Sequence, residues 1–337
     1  MKGLVVLQKR IDQAYIKSTF KVKPHGEPFS YILLDKRFIH LGDKLDFNLF
    51  VRNQKAHMAL FLQSHSLIDQ IQKERLKKID ELYVSPDEKE NYEHFIENHL
   101  QNLLQDTSLT MNEKTDLIYT STTELTQSLY DNPNALENAQ KSKNIVTPIL
   151  ESIIYHDNTV ASYIKIIEYD YYTHTHSLNV SIYALCLGAE LGLSDEQMTS
   201  LGRAALLHDL GKSKIEHELV NKDSKLSDKE FQEIKMHPLF GYNIALNIGI
   251  TNKEILDGIR HHHEKLNGKG YPDGLYSYEI TLFPRIISIC DIFDALTTRR
   301  SYKPSMSSFE ALRLMKKEMS LELDMELLDT FIKMLHR

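Results

Sequence analysis

The sequence predicts an α+β chain, in which a small mixed α/β domain precedes an all-α helical bundle. Three observations carry this expectation. Short β-like runs are confined to residues 1–105, helical apolar spacing takes over from about Ile145, and serine capping boxes recur in that second part. At 337 residues, 42% hydrophobic and 26% charged, the composition is that of a soluble globular chain with length for two domains. No apolar run approaches the ~18 residues of a membrane span, and none follows the first methionine as a signal region, so a cytoplasmic chain without membrane contact is expected. A net charge of -7 argues against a nucleic-acid polymer as partner and leaves a small anionic ligand open.

Residues 1–105 carry β-like runs at Tyr31–Leu34, Phe47–Val51 and Met58–Leu62, then helical patterns at Ile68–Leu82 and Tyr92–Leu104. His25, His40, His57, His65, His94 and His99 have no ligand spacing and read as surface or half-buried residues. Residues 106–150 read as a helical connector with a corner at Asn132-Pro133-Asn134; their apolar spacing is too irregular for a coiled coil but suits a homodimer surface. Residues 151–337 form the bundle. Ser194 with Gln197, Ser227 with Glu230 and Ser307 with Glu310 fit the capping box and fix three helix starts, while Pro238 and Pro284 suit first turns. Cys186 and Cys290 lie inside apolar helical patterns, as reduced core residues do.

Histidine is the unusual residue. Sixteen are present, and nine fall between His156 and His263. Met198, Leu201, Ala205 and His208 recur at helical spacing, which turns His208 inward beside Asp209; His176, Val180, Tyr183 and Leu187 do the same for His176. After Pro284 apolar residues surround the helix axis, so Asp291 and Asp294 cannot both reach water, and a buried carboxylate needs a cation or strong donors. Asp291 is the metal-ligand candidate and Asp294 the structural hydrogen-bonder. His237 stands at a helix corner, and His261, His262 and His263 close a helical segment before a glycine-rich loop. Imidazoles and carboxylates with few cysteines favour iron, manganese or a similar ion.

His208-Asp209-Leu210-Gly211-Lys212, then His237-Pro238, then His262-His263-Glu264 running into Gly268-Lys269-Gly270-Tyr271-Pro272, then Asp291-Ile292-Phe293-Asp294-Ala295-Leu296, resembles the HD-GYP family from about Asp170 through Phe331. These are bacterial cyclic di-GMP phosphodiesterases of the HD metal-dependent phosphohydrolase superfamily. The resemblance implies an HD-type bundle and two divalent metals, iron first and manganese or another ion next. One would be held by His176, His208, Asp209 and Asp291, and the second by Asp209, His237, His262 and His263. It further implies Lys212 and the bridging Asp209 as catalytic residues, and Tyr271, Arg300 and Lys303 as substrate contacts. Metal-activated hydroxide would open cyclic di-GMP to linear pGpG, with further cleavage to GMP left open. Protein partners would engage the N-terminal domain, expected to be regulatory from domain order, or the Gly268–Pro272 loop.

The chain departs from the family pattern in places. Tyr172 stands where three-metal members carry glutamate, which predicts a two-metal centre. Lys265-Leu266-Asn267, Ser301 and Glu216 also differ and leave two rivals open: another cyclic dinucleotide or a nucleotide monophosphate as substrate, or a receptor or scaffold that binds a cyclic dinucleotide without efficient turnover. His174 and His261 match no ligand position and are expected beside the metal shell or at the surface.

Overall fold

The computed structural model describes residues 31–53, 57–156, 159–169, 175–222, 224–298 and 306–336. It is mostly helical with a small antiparallel sheet, and its contacts divide the chain into two compact units, Met1–His99 and Leu100–Arg337.

Among the described residues the first unit has four strands, β1 (Ile32–Leu34), β2 (Leu49–Arg52), β3 (Met58–Leu62) and β4 (Leu82–Val84), in the order β1-β4-β2-β3. Ile32 pairs with Val84 and Leu34 with Leu82, and an irregularity between Leu49 and Phe50 shifts the β2–β3 register. All three expected strands form. The expected helix over Ile68–Leu82 is shorter, α1 (Gln70–Lys77), capped by the Asp69 side chain on the Gln72 amide. Leu82 belongs instead to β4, where Leu82 and Val84 point into the core at a period of two and Tyr83 between them does not. Helical spacing of Ile68, Leu76 and Leu82 is therefore shared between a loop, a helix and a strand. α2 (Lys89–Leu103) follows, and Tyr92 and Phe95 pack edge-on to the buried Phe47 ring.

The second unit adds α3 (Met111–Asp131), α4 (Asn138–Tyr155), α5 (Thr159–Tyr169), α6 (His176–Glu190), α7 (Asp195–Leu207), α8 (His217–Val220), α9 (Asp228–Ile234), α10 (His237–Asn247), α11 (Lys253–His261), α12 (Leu282–Thr297), α13 (Ser308–Glu318) and α14 (Met325–Leu335). The capping boxes at Ser194, Ser227 and Ser307 are all formed, and Thr110 with Glu113 makes a fourth at the start of α3. α6 is the central helix: Ser177 through Gly188 are all buried, so no face of it is left for solvent. α7 and α12 lie against it, α11 packs on α7 and α12, and α3 and α4 cover α6. Cys186 and Cys290 are free thiols in this core.

A 3-10 turn over Leu210–Lys214 follows α7 and lies on α10. Gly211 makes the contact possible, because a Cβ there would run into the His237 carbonyl and the Gly241 amide, both backbone atoms that cannot rotate away. Gly211→Ala should accordingly destabilise the chain by about 1–3 kcal/mol or more through overpacking. The urea midpoint will fall at unchanged slope; an unaltered midpoint would mean that the two backbones separate at little cost.

Candidate metal centre

Six of the seven expected ligands sit at or just beyond helix ends. His176 opens α6, His208 follows α7, Asp209 leads the 3-10 turn, His237 opens α10, and His262 and His263 follow α11; only Asp291 lies inside a helix, α12. The structure gathers them into two adjoining groups, His176, His208 and Asp291 on one side and Asp209, His237, His262 and His263 on the other. Within each group one ligand atom per residue lies within 4.8 Å of the others.

Asp209 joins the groups. Its Oδ2 lies 3.6 Å from His176 Nε2 and 3.5 Å from His208 Nε2, while Oδ1 lies 3.3 Å from His237 Nε2. Asp291 is split in the same way, with Oδ1 3.1 Å from His176 Nε2 and Oδ2 3.9 Å from His263 Nδ1.

The fit to a cation follows from where the protons are. His208, His237 and His262 each turn Nδ1 to a backbone carbonyl three residues earlier, Ala205 at 2.7 Å, Ile234 at 2.8 Å and Ile259 at 2.8 Å. A neutral ring that donates from Nδ1 carries a lone pair at Nε2. His237 Nε2 and His262 Nε2 then face each other at 3.2 Å, lone pair to lone pair. His176 directs Nδ1 to Asp294 Oδ2 at 2.6 Å. Among the described residues, His176 Nε2, His208 Nε2 and Asp209 Oδ1 are buried without a hydrogen-bond partner. Buried acceptors aimed at one another need positive charge between them, and imidazole with carboxylate is a donor set for a divalent transition ion.

Burial holds the His237 imidazole down to about 4 and that of His263 to about 3, and it depresses His208 and His262 as well. His176 goes the other way. Burial opposes its charge, but the neighbouring carboxylates of Asp291 and Asp294 overcome that and raise it to about 10. Both carboxylates are held low although burial would raise them, Asp209 by Lys212 and the surrounding imidazoles and Asp291 by His176.

Lys212 Nζ is 2.5 Å from Asp209 Oδ2 and is the more exposed member of that pair. Tyr271 stacks on His263 with ring centroids 4.8 Å apart, and Lys235 Nζ lies 5.3 Å from the Tyr271 ring centroid. Arg300, Lys303, Ser301, Tyr172 and His174 lie outside the described residues. His261 lies outside both donor groups and bridges Asp257 Oδ1 at 2.6 Å and Asp273 Oδ2 at 2.8 Å. Asp294 accepts from Asn179 Nδ2 at 3.1 Å besides His176.

Sequence reasoning gave Glu264 no role, yet this buried carboxylate accepts the backbone amides of Asp273, Gly274 and Leu275 at 2.7, 2.9 and 3.0 Å. It is the anchor of the loop that carries Tyr271. An acid directly before a Gly-Pro-rich loop was the available signal, since such a loop leaves backbone donors unpaired.

The chain is similar to known proteins at several levels. Residues 156–327 match the HD domain family. The chain is 34% identical over 199 residues to the cyclic di-GMP phosphodiesterase PA4108 of Pseudomonas aeruginosa, covering 59% of this chain and 48% of that protein. It is 36% identical over 155 residues to the 3'3'-cGAMP-specific phosphodiesterase 3 of Vibrio cholerae, covering 46% and 34%. The chain thus spans half or less of these curated relatives. In fold it is similar to Bd1817, a HDG"Y"P protein from Bdellovibrio bacteriovorus, with a TM-score of 0.65, 21% identity and coverage of 91% of this chain and 100% of that one.

The split in imidazole basicity has a measurable consequence. Near pH 7 only His176, raised to about 10, carries a proton that a metal must displace, whereas His237 and His263 are already neutral. Loading the metal-free protein near pH 7 should release about one proton per chain from the ligands, besides any given up by metal-bound water, and fewer in Asp294→Asn, which removes a carboxylate that holds the His176 proton. Calorimetry in buffers of different ionisation enthalpy gives the count, and a release of several protons from the ligands would contradict neutral imidazoles.

Proposed function

The chain belongs to the HD domain family, and on that premise we propose that it is a phosphodiesterase that uses two divalent ions, iron or manganese, to hydrolyse cyclic di-GMP to linear pGpG. The observation that carries the reading is the pair of donor groups hinged on one carboxylate, with Asp209 turning one oxygen to each. Divalent ions held there would neutralise phosphate charge and make a water molecule acidic enough to attack near pH 7.

The chain's own groups supply the remainder. In the hydrolysis a water oxygen bonds to phosphorus, the P–O3′ bond breaks, and the departing O3′ takes up a proton. Lys212, an ammonium at the exposed edge of Asp209, is the group proposed to stabilise the negative charge that develops on the phosphate and the leaving oxygen. Tyr271, stacked over His263, offers a ring face for the ligand, and Arg300 and Lys303 are proposed to hold its phosphates or guanine. Glu264, by fixing three successive amides, orients the loop on which Tyr271 rides. A compact first unit supports the regulatory role proposed for it. Residence in the cytoplasm is supported by two buried free thiols; no helix among the described residues is long and apolar enough to cross a membrane.

A second reading keeps the chemistry and changes the substrate, because relatives of similar identity are named for cyclic di-GMP and for 3'3'-cGAMP. A panel of the two cyclic dinucleotides, with products separated by chromatography, decides between them. Metal-loaded protein is expected to cleave cyclic di-GMP with the higher kcat/KM. Lys212→Ala should lower kcat by roughly 10²–10³-fold, the scale for removing one preorganised charge-stabilising donor, with metal content kept. Asp209→Ala should lose both activity and metal. Loaded protein that binds cyclic di-GMP and leaves it intact would overturn the proposal.

A further inference from the structure

The first unit contains a second meeting of ligand-type side chains, far from the HD motifs in sequence. His40 and Asp43 sit on one loop and His99 on α2, and the structure brings one donor atom of each within 4.8 Å of the other two. His99 Nε2 is 3.3 Å from Asp43 Oδ2, and His40 Nδ1 is 4.0 Å from the same oxygen. Ligands about 2.0–2.1 Å from a tetrahedral ion stand ~3.3 Å from one another. The His99–Asp43 edge is already at that spacing, and a small turn of His40 closes the second edge.

We propose that His40, Asp43 and His99 form a metal site, separate from the HD centre, that takes a zinc-class divalent ion with water completing its coordination. Two imidazoles and a carboxylate suit zinc, nickel or cobalt and are a poor set for magnesium or calcium, which require oxygen ligands.

Three features show that the donors are held in place. First, His99 Nδ1 is 2.9 Å from the Phe95 carbonyl one turn earlier, the same fixing of the ring that His208, His237 and His262 receive, and it turns Nε2 toward Asp43. Second, the loop is locked at both ends. Asp43 Oδ2 accepts the His40 amide at 2.6 Å, Gly42 N donates to Ile68 O at 2.9 Å, and Ile68 N donates to Asp43 O at 2.8 Å. Gly42 has φ +93°, a backbone that a side chain would strain, so the tight approach of His40 to Asp43 depends on glycine there. Third, the site has a floor and an opening. The Phe95 ring lies 4.0 Å from the His99 ring, the His40 and His99 rings are parallel within 2°, and the side chains of Asp43 and His99 are 18% and 22% exposed against 41% for His40. An ion would therefore enter past His40 onto a preset Asp43–His99 pair.

A plain His99–Asp43 ion pair is the competing account. It joins His99 to Asp43 with His40 4.0 Å from the same carboxylate oxygen, and it differs from the metal site in leaving zinc unbound.

The test uses the full-length chain carrying Asp209→Ala, stripped with chelator and titrated with zinc, so that the count does not depend on the proposed activity or on an intact HD centre. Adding His40→Asn or Asp43→Asn should lower the zinc bound by one ion per chain and abolish a zinc-dependent rise in the melting temperature. His40→Asn alters the most exposed ligand and guards against a loss of folding in Asp43→Asn, with circular dichroism of the metal-free variants as the check. Equal zinc counts with and without His40→Asn would overturn the proposal. So would a His99 ring whose NMR signals respond to pH and not to zinc, which is the ion-pair outcome.

Discussion

The second unit is organised around a conflict that only positive charge can resolve. Two buried carboxylates, Asp209 and Asp291, face five imidazoles, and in three of those rings the proton is already committed to a backbone carbonyl. Left alone, such a cluster of acceptors would be strongly destabilising in a buried site. A proton on His176 and the ammonium of Lys212 offset part of this in the metal-free chain. The rest of the helical scaffold can be understood as what is needed to hold the cluster together against its own repulsion: a central helix buried on all sides and glycines such as Gly211 that let backbones touch.

Helix termini are the means by which the ligands converge. The last turn of a helix leaves carbonyls without an amide partner. His208 takes the carbonyl of Ala205 at the end of α7, His237 that of Ile234 at the end of α9, and His262 that of Ile259 at the end of α11. One contact therefore does two things at each end. It satisfies an orphan carbonyl, and it fixes which ring nitrogen faces the centre. Adjacent residues at such an end point in different directions, so His262 and His263 both join the same group, while Asp209 reaches both groups by dividing its two oxygens between them.

Much of this was legible in the sequence because helical spacing and caps are local. The inward His176 and His208, the corner at His237 and the capping boxes at Ser194, Ser227 and Ser307 all follow from residues within two turns of one another. What escaped is non-local. Leu82 fits a helical stripe in sequence, yet pairing with Leu34 makes it a strand residue. His40 and His99 read as surface or half-buried histidines without ligand spacing, and only the fold of the first unit brings them together beside Asp43. Glu264 belongs to a motif, but its three backbone partners lie nine to eleven residues on and are chosen by the path of the loop.

The support of the centre extends beyond the HD motifs. Tyr119, in α3, donates its hydroxyl to Asn179 Oδ1 at 2.8 Å; Asn179 donates to Asp294 Oδ1 at 3.1 Å; and Asp294 Oδ2 lies 2.6 Å from His176 Nδ1. Tyr130, further along the same helix, bonds Ser177 Oγ at 2.7 Å and the Leu206 carbonyl at 3.0 Å, next to His176 and close to His208. Both tyrosines are rigid rings on one helix, so α3 fixes the start of α6 and the end of α7 at two points about three turns apart. The orientation of His176 is thereby tied to a helix that contributes no ligand. A shift of α3 along its axis would reach that ring through hydrogen bonds whose geometry has little tolerance, which makes α3 a working part of the centre.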